Sequence, residues 1–165
     1  MLYALCGMSG VGKTTIQRAL LERQPHLSRL VTSTTRPPRP GEVSGVDYHF
    51  LSTHQYQTAV ETKQLLCSIL HRGAGYAASC ADVSASRNRD LLGVLRPDKL
   101  PELEQLTSVV SFAIVRPGSA PLSDDDRLVC AHLHRCTYQI INIPGDLDHA
   151  VVHILCLLQH HTTGG

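Results

Sequence analysis

At 165 residues the chain has room for one domain, burying about two-thirds of the surface its unfolded form exposes. Its 15 Lys and Arg against 14 Asp and Glu leave a formal net charge of +1, which excludes polyanion binding through bulk charge, and no nucleic-acid partner is expected. No run approaches the roughly 18 consecutive apolar residues of a membrane span, and Met1 leads straight into an apolar strand, so neither a span nor a signal peptide is expected. The six cysteines contain no C-x-x-C pair and sit mostly in apolar runs, where a reduced thiol serves as a small hydrophobe. A reduced, cytoplasmic protein is the expectation.

Leu2 to Cys6 is wholly apolar, as a buried parallel strand should be. Gly7-Met8-Ser9-Gly10-Val11-Gly12-Lys13-Thr14-Thr15 follows and fits G-x-x-x-x-G-K-[ST], the phosphate-cradling P-loop. The glycines let backbone N–H groups close on an anion, Lys13 brings a compact charge to the outer phosphates, and the Thr14 hydroxyl suits Mg²⁺. Thr15 to Arg23 then places Ile16, Ala19, Leu20 and Arg23 at helical spacing. Strand, glycine loop and helix together aim a helix N-terminus at a phosphate, which outweighs a chance match in a tight turn.

Leu30 to Ser33 reads as a second strand. In Thr34-Thr35-Arg36-Pro37-Pro38-Arg39-Pro40-Gly41-Glu42 the prolines forbid a helix and present both arginines, the side chains suited to bidentate phosphate recognition, on a stiff loop. A proline-rich ligand for another domain is the alternative reading of that run. Glu42 to Phe50 alternates around Ser44-Gly45 and suggests a hairpin. Thr53 to Val60 suits a short helix, and Leu65 to Leu70 a strand, before the glycine-rich Arg72-Gly73-Ala74-Gly75-Tyr76.

The α/β pattern resumes with a strand at Leu91–Leu95 and a helix near Lys99–Leu106. A strong buried strand at Val109–Val115 follows, then a helix from Asp124 to near Arg135, capped by Ser123. Tyr138 to Ile143 is a last strand, and Asp146 opens a final helix through Leu158. The expected fold class is α/β, a P-loop NTPase with three α/β/α layers, a parallel sheet and a small inserted β-rich subdomain. One domain is expected over 1–165, with its core at 1–33 and 80–165, the insertion at about 34–79 and a loop remnant at about 116–127.

Ser33 to Phe50, read as S-T-T-R-P-P-R-P-G-E-V-S-G-V-D-Y-H-F, closely resembles the substrate-loop signature of guanylate kinases, S-T-T-R-x-P-R-x-G-E-x-x-G-x-x-Y-x-F. Asp146-Leu147-Asp148-His149-Ala150 is similar to the family's D-L-D-x-A. The resemblance is strong over about 1–52, traceable through the middle and recovered near the end. It implies transfer of the γ-phosphate of ATP to GMP or dGMP with Mg²⁺, giving ADP and the diphosphate. Lys13 and Thr14 would serve the ATP phosphates and Mg²⁺, with Thr14 as metal ligand. Arg36, Arg39, Tyr48 and Tyr76 match positions that grip the acceptor phosphate, and Thr32 and Asp98 match positions facing the base.

Departures from the family are as informative. Cys67 stands where a glutamate reads guanine, and Arg96-Pro97-Asp98 has lost the first acid of D-x-D. The long arginine-rich lid is short here, leaving Arg127 of an R-L pair as its expected catalytic survivor, while Arg116 and Arg135 fall on no family motif. Two other readings stay open: a P-loop kinase for a modified nucleotide or ribose bisphosphate, and a binding module that has lost turnover. His149 and His153 share a helix face but lack a third ligand, so a solvated face is expected there. Oligomeric state is not legible.

Overall fold

The computed structural model describes residues 1–162. Five strands form a parallel sheet in the order β2-β7-β1-β8-β9: β1 (Leu2–Cys6), β2 (Ser28–Arg29), β7 (Leu91–Val94), β8 (Val109–Val115) and β9 (Tyr138–Ile141). β1 lies at the centre, with Leu2 opposite Leu91 on one side and Val109 on the other. Its alternation separates the two cores. Tyr3 and Leu5 pack with Ile16 and Leu20 of α1 (Lys13–Arg23) and Val151 and Ile154 of α6 (Leu147–Thr162). Leu2, Ala4 and Cys6 face Val83 of α3 (Cys80–Ala85) and Leu100 and Leu103 of α4 (Leu100–Glu104). Helices thus cover both sheet faces, as the fold class requires.

A second sheet, ordered β4-β3-β6-β5, is built from β3 (Thr32–Thr34), β4 (Tyr48–Phe50), β5 (Leu65–His71) and β6 (Ala74–Ser79). The helix α2 (Thr53–Glu61) packs on it and is held by a capping box between Ser52 and Gln55. Among the described residues no helix is long and apolar enough to cross a membrane.

Several boundaries differ from expectation. The strand expected at Leu30–Ser33 is two strands in different sheets. Leu30 still donates its N–H to Leu92 and buries its side chain against Gly93, and the chain changes sheets just after it. The expected hairpin at 42–50 is absent, because β4 pairs parallel with β3. The segment before it is a turn whose N–H groups at Arg39 and Val43 are taken by the Glu42 and Asp47 carboxylates. The glycine-rich stretch conceals β6, followed by α3 under a Ser79 cap. α5 (Asp124–His132) tightens to a 3₁₀ turn over Leu133–Arg135. β9 stops at Ile141, and α6 begins one residue later than expected, with Asp146 accepting from the His149 N–H.

Candidate functional site

The loop at Gly7–Gly12 leaves the carboxyl end of β1, where the strand order turns outward to β7 on one side and β8 on the other. Ligands of open α/β sheets bind at that kind of position. Two glycines are required by space. A Cβ on Gly7 (φ 151°) would stand 2.6 Å from the Ile114 carbonyl oxygen, and one on Gly12 (φ 98°) 2.5 Å from Asn142 Nδ2. Asn142, at the end of β9, donates through Nδ2 to the Val11 carbonyl at 2.7 Å and so fixes the loop from across the sheet. α1 begins with no side-chain cap and no acidic residue in its first turn. Its first N–H groups, at Lys13–Thr15, are therefore left for an anion.

Lys13 Nζ donates to the carbonyls of Gly7 (2.8 Å) and Met8 (2.6 Å), and burial lowers its pKa from 10.5 to about 8. Asp126, on the first turn of α5, is 5% exposed and reaches the same loop. Its Oδ1 accepts from the Ser9 N–H at 2.9 Å and its Oδ2 from the Leu122 N–H at 3.3 Å. The Ser9 hydrogen bond, aided by others and by the Lys13 charge, holds this carboxyl below the usual range. Arg116, just past β8, places Nη1 3.5 Å from the Gly10 carbonyl. It lines a cleft of about 220 Å³ with Gly12, Thr15, Asn142 and Ile143.

On the second sheet, Thr34 opposes Tyr76 in the antiparallel β3–β6 register. The Thr34 hydroxyl donates to the Gly75 carbonyl (2.9 Å), and the Gly75 N–H donates to Thr35 Oγ1 (2.8 Å), so this corner is pinned twice. Arg36 forms a fork with both Glu42 oxygens at 2.9 Å each. Its guanidinium lies 5.4 Å from the Tyr48 ring centroid and 5.8 Å from that of Phe50. Tyr48 and Tyr76 meet edge-on at 6.1 Å. Glu42, with the Tyr76 hydroxyl assisting, raises the pKa of Arg36 further, and burial raises that of Tyr48. The result is an oriented cation between two phenols.

Farther along, Cys67 sits at φ 57° where the β5–β6 register shifts. Its N–H donates to Glu102 Oε2 at 2.8 Å, and Lys99 holds Oε1 at 2.9 Å. Burial pushes the Cys67 thiol up to about 12. Asp98 is oriented by Arg96 Nε at 2.8 Å. Arg96 also pairs with Asp125 of α5, whose other oxygen lies 2.8 Å from His71 Nδ1.

Of the residues expected from sequence, the structure gathers Gly7 to Thr15 in one loop and groups Arg36, Tyr48 and Tyr76 in one cluster. Thr32 lies in β3 opposite Tyr48, and Arg39 is exposed, with its backbone N–H on Glu42. Arg127 is not brought to the loop: its side chain is 73% exposed and pairs with Asp124 one turn back. Sequence reasoning missed the parts played by Asn142, Asp126, Arg116 and Glu102. Asn142 had a signal, a polar residue ending the apolar run Ile140-Ile141. Asp126 was hidden in an acidic run that a helix N-terminus already explained.

Comparison with known proteins agrees with this geometry. A family profile for guanylate kinase matches residues 1–109. The guanylate kinase of Paramagnetospirillum magneticum is 48% identical over 96% of this chain and 83% of its own length. That of Nitrobacter winogradskyi is 33% identical over 96% of this chain and 82% of its own. The crystal structure of guanylate kinase from Anaplasma phagocytophilum superposes with a TM-score of 0.76 at 20% identity, covering 98% of this chain and 85% of that one, and so shares the fold. On loop, inserted sheet and full-length similarity together, the chain belongs to the guanylate kinase family.

Proposed function

We propose that this chain transfers the γ-phosphate of ATP to GMP or dGMP, yielding ADP and the corresponding diphosphate. The observation that carries the reading is the pairing of two anion-receiving constellations. One is the uncapped N-terminus of α1 with Lys13, and the other is the Arg36–Tyr48–Tyr76 cluster. Phosphoryl transfer needs positioning and charge stabilisation more than a covalent partner, and these groups supply both. The loop N–H groups and Lys13 hold the donor phosphates. Arg36, Arg39, Tyr48 and Tyr76 hold the acceptor phosphate in line, making a bimolecular encounter an aligned one. Glu42 keeps Arg36 in its rotamer between turnovers.

Thr32, Asp98 and Glu102 face the acceptor base, Glu102 bringing to the Cys67 backbone the carboxylate that position 67 lacks. Thr14, exposed on the first turn of α1, offers the hard hydroxyl oxygen that suits Mg²⁺. The ion, when bound, would neutralise charge on the donor phosphates. Arg127, paired with Asp124 in solvent, is left out of this assignment. Six free cysteines suit a reducing compartment, and we place the reaction in the cytoplasm.

A coupled ADP-release assay across GMP, dGMP, AMP, CMP, UMP and ribose bisphosphate tests the reading. GMP or dGMP should be preferred, and Lys13→Ala should abolish transfer. Its fold should survive, since the change removes an ammonium whose charge burial already disfavours. Transfer to ribose bisphosphate alone, ATP binding without turnover, or full activity in Lys13→Ala would each overturn it.

A further inference from the structure

We propose that Arg116 is the donor-side arginine of this enzyme, contacting the ATP phosphates and stabilising the ADP that leaves. The inference rests on the kinase reading above and extends it to a residue outside the family's motifs. The segment joining β8 to α5 is short, and the arginines beyond it point elsewhere: Arg127 pairs with Asp124 in solvent, and Arg135 is exposed at the far end of α5. Arg116 lies against the P-loop, yet it is poorly satisfied there. Among the described residues Nη1 makes a long contact of 3.5 Å to the Gly10 carbonyl, and Nε is buried with no hydrogen-bond partner.

An orphaned buried donor is costly to keep, and on a guanidinium beside a phosphate cradle it points to an anionic acceptor. The cleft Arg116 lines includes Gly12 and Thr15, so its wall is the first turn of α1 where the donor phosphates lie. In the transfer, the bond between the γ-phosphorus and the β–γ bridging oxygen breaks. Its electron pair stays on that oxygen, while a GMP phosphate oxygen forms the new bond to phosphorus. Negative charge therefore grows on the ADP side, which is the side Arg116 occupies.

Arg116→Ala and Arg116→Lys in the full chain provide the test, by steady-state kinetics, ATP calorimetry and thermal melting. Arg116→Ala is expected to lower kcat about 100-fold or more and to weaken ATP binding, with KM for GMP unchanged. Arg116→Lys should recover only part, having lost the planar fork, and added guanidinium should restore part of the activity of Arg116→Ala. A purely structural role would lower the melting temperature but give no guanidinium rescue and no split between kcat and KM for GMP; either finding overturns the proposal. So would kcat and ATP affinity both within twofold of wild type. If wild type itself transferred no phosphate, the functional reading would fall, and the calorimetric comparison of Arg116→Ala would still decide whether Arg116 meets the donor.

Discussion

Lys13 is buried enough that its ammonium loses its proton near pH 8 instead of 10.5, and this makes nucleotide binding pH-dependent in a calculable way. The difference corresponds to a penalty of about 3 kcal/mol on the charged form. Phosphate oxygens set against Nζ would remove that penalty and return the pKa toward its ordinary value. At about pH 9 only around a tenth of the free protein carries the charge, so ATP binding should take up nearly one proton and be about tenfold weaker than at pH 7. Stability of the free protein moves the other way. Between about 8 and 10.5 the unfolded chain binds the proton that the folded chain has released, so the penalty present below that window is relieved as pH rises through it. Calorimetry of ATP binding in two buffers of different ionisation enthalpy measures the proton uptake directly. Lys13→Arg is the control, because its guanidinium stays charged throughout. Flat affinity up to pH 9 with no proton uptake, or identical behaviour in Lys13→Arg, would refute the reasoning.

Asp126 sits on an N–H of the phosphate cradle with its charge near Lys13, so Asp126→Asn should tighten ATP binding about tenfold, while the altered hydrogen bonds lower stability by about 1–2 kcal/mol. Weaker ATP binding in that variant would mean the carboxylate shapes the loop for its ligand instead of competing with it. Glu102→Gln should raise KM for GMP about tenfold and shrink the preference for GMP over IMP, since guanine offers an amino donor that hypoxanthine lacks. Unchanged GMP kinetics would remove Glu102 from base recognition.

The fold was readable where local pattern and global packing agree. The runs Leu2–Cys6 and Val109–Val115 have ends that match the observed strands, the first apolar throughout and the second broken by Ser111 alone. Ser111 is buried and satisfied by Thr137, because a parallel strand covered on both faces tolerates a polar side chain only when it is hydrogen-bonded. The P-loop and Arg36 loop were legible for a different reason: glycine at fixed positions and proline-stiffened arginines are chemical requirements written in adjacent residues. What escaped was carried by side chains far apart in sequence. Arg72-Gly73-Ala74-Gly75-Tyr76 looks like a glycine-rich turn until Thr34 and Thr35 are seen to pin Gly75 from a strand some 40 positions earlier. The hydrogen bond from Asn142 to Val11 and that from Ser9 to Asp126 span 131 and 117 positions, and neither leaves a local periodicity. At Cys67 of β5 the resemblance puts a cysteine where the family has a glutamate. That Glu102 of α4 brings a carboxylate to the backbone N–H there depends on the bulge at φ 57°, which no propensity encodes.

The acidic run at the start of α5 shows how one short element can serve two sites. Successive residues on a helix point about 100° apart, so neighbours on one turn reach different partners. Asp126 turns to the Ser9 N–H of the donor loop. Asp125 turns to Arg96, which orients Asp98, and to His71 at the end of β5 in the inserted sheet. A phosphate that claimed the Ser9 N–H would have to displace Asp126, and because Asp125 rides on the same turn, its links to Arg96 and His71 would be strained by the same movement. Coupling of this kind is reciprocal: whatever the donor does to the inserted sheet through α5, the acceptor does to the donor loop by an equal free energy. A long lid can exclude water and deliver arginines. Here β8 and α5 are joined by residues 116–123 alone, and α5 links the loop after β1 to the inserted sheet through two adjacent carboxylates.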